Sequence, residues 1–239
     1  MNVAKSTNQR PWVFALVVPA LNEADSVGKL LSLIPRDLFY EIIVVDNGST
    51  DQTSQAAAGG GARVVFEPRR GYGQACLAGI AAIGPAITAI AFMDADLSDD
   101  PADLPRLLGE FESGGRDLVI GSRVLGTREP GALTALQRFG NWLATLMIWK
   151  LWKVRFTDLG PLRIVRRDAL CRMNLCDRNF GWTVEMQAKA AKLGLRAAEI
   201  PVNYRRRSAG RSKVSGTLKG SFRAGTKIIY TIAKCWLAR

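Results

Sequence analysis

The sequence predicts an α/β protein built on a mainly parallel sheet with helices on both faces. Three observations lead there. Apolar, β-rich runs alternate with helical segments through the first half of the chain. Those runs are unbroken rather than alternating with polar residues, which marks strands covered on both sides. The 239 residues, 48% hydrophobic and 23% charged, supply enough apolar side chain for a sizeable core.

The elements follow in order. Trp12–Val18 (WVFALVV) reads as a buried strand and Ala24–Ile34 as a helix. Glu41–Val45 is a strand, and Thr53–Ala58 is a short helix ended by three glycines. Ala62–Phe66 is a strand and Gln74–Ile83 a helix. Ile87–Met93 is a strand, followed by a helix over Pro101–Glu112 that starts with proline at a favoured position. Asp117–Gly121 is the next strand. Beyond it the pattern is less regular. Trp142–Trp152 carries three tryptophans beside lysines. It suits a buried core helix or a segment at a lipid headgroup boundary, and it is too short to span a bilayer. From Thr217, the residues Leu218, Phe222, Gly225, Ile229, Ile232 and Trp236 recur at helical spacing, with Lys219, Arg223, Lys227 and Lys234 opposite. This basic amphipathic helix suits docking on its own domain, an anionic lipid surface or a homodimer interface. The expected organisation is therefore a domain over residues 1–216 and a C-terminal helix over 217–239.

Charge is segregated. Residues 1–120 hold 9 Lys/Arg against 15 Asp/Glu, whereas residues 121–239 hold 24 against 6, and no acidic residue follows Glu199. Such asymmetry concerns partners rather than fold, and it points to phosphorylated substrates, an anionic membrane or nucleic acid. No nucleic-acid reading motif accompanies the basic half, so nucleic acid is not expected as a partner. Histidine is absent, which excludes Ser–His and Cys–His mechanisms and any histidine metal ligand. The four cysteines form no CxxC pair, so zinc is not expected, and scattered thiols suit a reducing compartment. No targeting signal or membrane-length apolar run is visible. The expected location is the cytoplasm, with contact at the inner membrane face at most peripheral.

In a parallel sheet, ligands bind beyond the carboxyl ends of the strands, so the loops there carry the chemistry. After the first strand comes Pro19-Ala20-Leu21-Asn22-Glu23, in which Asn22 suits a helix cap and Glu23 suits the helix dipole or a ligand. Asp46 ends the second strand, where a buried carboxylate is costly unless it binds something. Arg69-Arg70-Gly71-Tyr72-Gly73 places two cations and two glycines before a helix start, a cradle for an anionic group. In Asp94-Ala95-Asp96-Leu97-Ser98-Asp99-Asp100, five oxygen-bearing side chains occupy seven positions. Asp94 and Asp96 flank one small residue, and like charges so close call for a cation, Mg2+ or Mn2+ for oxygen ligands. Arg123 ends the fifth strand, Asp158 is a lone carboxylate in a basic region, and Glu185 sits at a helix start. Seven of the nine residues from 205 to 213 are polar or charged donors, which favours anion binding.

Taken together, VVPALNE, IIVVDNGSTDQT, RRGYGQA, FMDADLSDDP, GSR, TDLGPLRIVRRDAL and RSAGRSK resemble, in order, the family 2 glycosyltransferases of the GT-A fold, a Rossmann-like architecture. The resemblance runs from residue 17 to 213 and is nearest to polyprenyl-phosphate (dolichyl-phosphate type) mannosyl- and glucosyltransferases. It implies an inverting, metal-dependent transfer of a hexose from a nucleotide sugar, of UDP-glucose type or GDP-mannose, to a polyprenyl phosphate. Another lipid or a soluble hydroxyl is the alternative acceptor. It implies that Pro19, Glu23 and Asp46, with Gly71 and Tyr72, hold the nucleotide sugar. Asp94 and Asp96 would be the Asp-x-Asp pair that places Mg2+ or Mn2+ on the donor diphosphate, Asp96 being catalytic. Arg123, Arg138, Arg207, Ser212 and Lys213 would grip phosphates of donor or acceptor. Asp158 and Glu185 would supply a carboxylate near the acceptor. Ser98 stands where many relatives carry an amide as a further metal ligand.

Overall fold

The structure, a computed structural model, describes residues 12–207 and 218–237. A sheet of seven strands lies between two helical layers. The strands are β1 (Phe14–Ala20), β2 (Glu41–Asp46), β3 (Arg63–Phe66), β4 (Ala89–Phe92), β5 (Leu118–Ser122), β6 (Arg163–Arg166) and β7 (Ala197–Pro201). The helices are α1 (Ala24–Leu33), α2 (Thr53–Gly59), α3 (Tyr72–Ala82), α4 (Leu104–Ser113), α5 (Ala135–Trp152), α6 (Arg167–Met173), α7 (Trp182–Lys192) and α8 (Leu218–Leu237). In space the strands run β3-β2-β1-β4-β6-β5-β7. β1, β2, β3 and β4 are parallel, as are β5 and β7, while β6 lies antiparallel to both β4 and β5. The first-half elements appear in their predicted order. The antiparallel β6 and the edge strand β7 carry no such signal: RIVR and AAEIP are short and flanked by charge.

Successive residues of β1 feed opposite cores. Leu16 and Val18 join the layer of α1 and α4, with Leu30, Leu107 and Phe111. Val17 joins the layer of α3, α5 and α7, with Ile43, Ile148 and Trp182. This period of two on a sheet apolar throughout is what two helical layers require. Trp182 is wholly buried and packs edge-to-face on Phe92, with ring centroids 4.8 Å apart.

α5 starts seven residues before the predicted Trp142. Its first turn is polar, but Thr134 and Gln137 form a capping box, with the Gln137 N–H donating to Thr134 Oγ1 (3.2 Å) and the Thr134 N–H to Gln137 Oε1 (2.8 Å). The TALQ signal was available in the sequence. α8 packs on α5 and α7. Ile232 is buried, beside Thr231 and Cys235, whereas Ile229 and Trp236 of the same apolar stripe are exposed. Lys227, expected on the outer side, pairs with Asp177 at 2.7 Å. The interior of the domain accepts a narrower face of α8 than its apolar stripe offers.

The start of α3 is pressed against the loop before α7. A Cβ at Gly73 would lie 2.1 Å from Asp177 O and 2.9 Å from Trp182 Cβ. Gly73→Ala is expected to destabilise the protein by about 1–3 kcal/mol in urea denaturation, because backbone rather than a movable side chain blocks the new methyl group.

Candidate functional site

A cavity of about 1050 Å³ opens along the carboxyl ends of β1 and β4. It is lined by Pro19 at the end of β1 and Glu23 after it, and by Asp94, Asp96 and Ser98 after β4. Gly71 and Tyr72 at the start of α3, Arg123 after β5, and Tyr204 and Arg207 from the segment beyond β7 also line it. Residues scattered over nearly two hundred positions thus converge on one site.

The two aspartates of the Asp-x-Asp pair have different partners. Asp94 Oδ1 accepts the Tyr72 hydroxyl at 3.0 Å. Asp96 Oδ1 accepts the Ser98 N–H at 2.9 Å, and its Oδ2 lies 2.8 Å from Arg207 Nη2. Arg207 also reaches Glu23 Oε1 through Nη1 at 2.7 Å. Burial, then the nearby charge of Asp96, pushes the Asp94 carboxyl up to about 7. Behind them Asp99 is buried with neither carboxylate oxygen hydrogen-bonded, and burial holds its carboxyl well above the usual range. Hard oxygen donors with surplus, poorly solvated negative charge fit a divalent cation. Among the described residues no group of three or more Asp, Glu or Cys side chains forms a closed metal cage. Asp94 and Asp96 would therefore share such an ion with ligand or water oxygens.

Arg123 is fixed by Asp158. Its Nε and Nη2 donate to Oδ2 and Oδ1 at 2.7 and 2.8 Å, and its backbone N–H to Oδ2 at 2.8 Å. Burial acts to raise the Asp158 carboxyl, but these bonds outweigh it and hold the group below the usual carboxylate range. The guanidinium lies 4.9 Å from the centre of the Tyr204 ring, which presents it to the cavity.

Several expected residues stand elsewhere. Asp158 is fully buried and lines no part of the cavity, so it orients Arg123 rather than facing a ligand. Glu185 points away. It accepts the N–H groups of Cys176 and Asp177 at 3.0 and 2.7 Å and pairs with Lys189 at 2.7 Å, which organises the loop before α7. Asp46 shapes its own turn, accepting the Ser49 N–H at 2.8 Å and the Ser54 hydroxyl. Arg138 is exposed and off the cavity, because α5 turns Leu136, Gly140 and Leu143 inward. Ser212 and Lys213 lie outside the described residues.

Among the lining residues that escaped the sequence reading, two polar ones hold the site together. Asn47 accepts the Gly71 N–H at 2.7 Å and donates to Glu67 O and Arg69 O at 3.1 and 2.8 Å, tying the second and third loops together. Its position directly after a buried strand was the available signal. Tyr204 had none, since its ring contact joins residues 81 positions apart.

The seven-stranded, mostly parallel sheet between two helical layers is that of a glycosyltransferase of the GT-A fold. The chain belongs to glycosyl transferase family 2, whose model matches residues 15–173. It is 42% identical over 211 residues to an uncharacterized glycosyltransferase of Mycobacterium tuberculosis, covering 86% of this chain and 91% of that one. It is 30% identical over 223 residues to the undecaprenyl-phosphate mannosyltransferase of Micrococcus luteus, covering 85% and 88%. Glucosyl-3-phosphoglycerate synthase of M. tuberculosis, crystallised with Mn2+, UDP and glucosyl-3-phosphoglycerate, shares the fold. The TM-score is 0.74 at 24% identity, over 95% of this chain and 80% of that one.

Asp158→Asn leaves Arg123 buried without its counter-charge, and the expected loss is about 3–5 kcal/mol in urea denaturation at pH 7. The folded-state carboxyl is depressed, so its stabilisation is complete above the unfolded pKa of about 3.9 and disappears as pH falls through the lower folded value. The gap between wild type and variant should therefore narrow below about pH 4.

Proposed function

We propose that this enzyme transfers a hexose from a nucleoside-diphosphate sugar to a polyprenyl phosphate at a membrane surface, inverting the anomeric carbon. The observation that carries the acceptor assignment is the asymmetry of the cavity. Its lining carboxylates, Glu23, Asp94 and Asp96, all come from the loops that follow β1 and β4. Its large apolar lining, Leu133, Leu136, Phe139, Leu143, Phe180 and Ile229, comes instead from α5 and the segment before it, the loop before α7, and α8. Four of these, Leu136, Phe139, Phe180 and Ile229, remain between 41% and 55% exposed, so the apolar wall continues onto the surface as a lip. A lipid chain suits that lip, and Arg123, Arg206 and Arg207 line the same cavity. The Micrococcus relative's acceptor, undecaprenyl phosphate, is of the same chemical class.

Acid–base chemistry supports the same acceptor. A hydroxyl needs a base to take its proton. Asp158 is locked to Arg123 and Glu185 to the loop before α7, and neither lines the cavity. A phosphate monoester, with a second pKa of about 6, arrives already ionised.

Asp94 and Asp96 would hold Mg2+ or Mn2+, which supplies Lewis-acid stabilisation of the departing diphosphate when bound. Arg123 and Arg207 offer guanidinium groups to the phosphates. The acceptor phosphate oxygen forms its bond to the anomeric carbon from the face opposite the diphosphate. The old C–O bond breaks, its electron pair leaves on the nucleoside diphosphate, and no proton is transferred.

Peripheral membrane contact fits the exposed edge of α5 that continues from the lip. Leu136, Phe139 and Trp142 are exposed along it. Near its end, Lys150, Lys153 and Arg155 surround the Trp149 ring at 5.1, 5.9 and 5.2 Å. Apolar side chains ending in aromatic and basic groups suit a headgroup boundary. Among the described residues no helix is long and apolar enough to cross a membrane.

A nucleotide-release assay with Mn2+ or Mg2+ tests the reading, pairing UDP-hexoses and GDP-mannose with and without a short polyprenyl phosphate. Release that requires the lipid is the expected result. Metal-dependent donor binding without lipid-dependent release overturns the acceptor and directs attention to soluble ones. In the same assay the double variant Leu136→Glu, Phe139→Glu should raise KM for the lipid by roughly ten-fold or more while leaving donor KM unchanged, because apolar burial of about 1.5–3 kcal/mol per side chain is lost at the lip alone.

A further inference from the structure

Arg207 occupies the charge position that a metal ion would take at Asp96. Its two terminal nitrogens lie 2.8 Å from Asp96 Oδ2 and 2.7 Å from Glu23 Oε1. Both carboxylates are themselves held. Glu23 Oε2 accepts the Ser26 hydroxyl at 3.0 Å, and Asp96 Oδ1 accepts the Ser98 N–H at 2.9 Å. The bridge is shielded from water, with the Arg207 side chain 25% exposed, Asp96 9% and Glu23 6%. The backbone that delivers the arginine is anchored separately. The Arg205 N–H donates to Ser98 O at 2.8 Å and the Asn203 N–H to Asp103 Oδ2 at 2.7 Å. The guanidinium can therefore change partners while the main chain stays in place.

We infer that Arg207 selects the form in which the metal enters: it bars a free divalent cation from Asp96 and yields only to a cation carried by a nucleoside diphosphate. The inference rests on the donor half of the proposed function. A free cation must break a desolvated ion pair and then sit beside the displaced guanidinium, a repulsion weakly screened at this depth. A cation arriving with a diphosphate brings its own compensation. The planar fork of Arg207 exchanges a carboxylate for phosphate oxygens, partners it matches equally well. One residue thus penalises the metal alone and rewards the complex.

The test measures Mn2+ binding to the full chain by electron paramagnetic resonance with MnCl2 alone, and binding of UDP and GDP in the presence of Mn2+ by calorimetry. The expected signature is a pair of opposite changes. Arg207→Ala should bind Mn2+ alone about ten-fold more tightly and the nucleoside diphosphate with Mn2+ about ten-fold less tightly. Arg207→Lys keeps the charge and loses the fork, so it should still exclude free Mn2+ while losing diphosphate affinity. Tight binding of Mn2+ alone by the wild type, or unchanged or weakened Mn2+ binding by Arg207→Ala, overturns the inference. A wild type that binds neither UDP nor GDP with Mn2+ removes the donor half of the proposed function and the inference with it. A wild type that binds one of them while Arg207→Ala lacks the opposite changes removes the inference alone.

Discussion

Glu23, Asp94 and Asp96 crowd the carboxyl ends of β1 and β4, strands without a charged residue, and their need for compensation organises the site around them. The backbone of β1 and β4 gives them position but no counter-charge. Tyr72 hydrogen-bonds one carboxylate and Arg207 bridges the other two. This gives the uneven charge of the sequence a spatial meaning. The acidic first half builds the floor of the site, and the basic second half sends its arginines across to meet it.

That delivery explains the irregular second half. β6 enters antiparallel between β4 and β5, so the chain doubles back beside the site. On that return Asp158 captures Arg123 from the end of β5. Arg163 is wholly buried with carbonyl partners, donating to Thr183 O at 3.1 Å and to Gly160 O, above the Trp182 ring. Burial brings its guanidinium down to about 10, still protonated at neutral pH. These carbonyl bonds join the loop that carries Asp158 to the start of α7. The buried pair and the buried arginine therefore form one support beneath the cavity, and its purpose is to hold Arg123 still.

The parallel half of the fold was legible because burial on both faces writes itself directly into sequence as unbroken apolar runs. The carboxylates of the cavity lining were legible for a related reason. Asp94, Asp96 and Glu23 lie within a few residues of a strand's end, so local order brings them to the carboxyl edge of the sheet. The carboxylates assigned to the acceptor were not legible. Asp158 and Glu185 look alike in sequence, as lone acids among basic residues, and only tertiary partners decide that one clamps an arginine and the other caps a loop. Arg138 differs from its cavity-lining neighbours by helical phase alone. The same ambiguity governs α8, where the apolar stripe is wider than the face the domain accepts.

The chemistry left to this cavity follows from what its side chains can and cannot do with a proton. The chain has no histidine. Burial pushes the hydroxyls of Tyr72 and Tyr204 above their ordinary range, so neither phenolate is available near neutral pH. Glu23 and Asp96 are engaged by Arg207, and Asp158 by Arg123. Asp94, the remaining lining carboxylate, accepts the Tyr72 hydroxyl and would be taken up by the metal, which leaves fixed positive charge beside an apolar wall. Such a site does little for a substrate that must be deprotonated and a great deal for two substrates that are already anionic. Electrostatic stabilisation of a departing diphosphate and capture of an ionised acceptor draw on the same arginines. Under the proposed function, the shortage of bases and the surplus of guanidinium groups are two aspects of one design, in which the substrates would bring the negative charge and the protein would hold it in line.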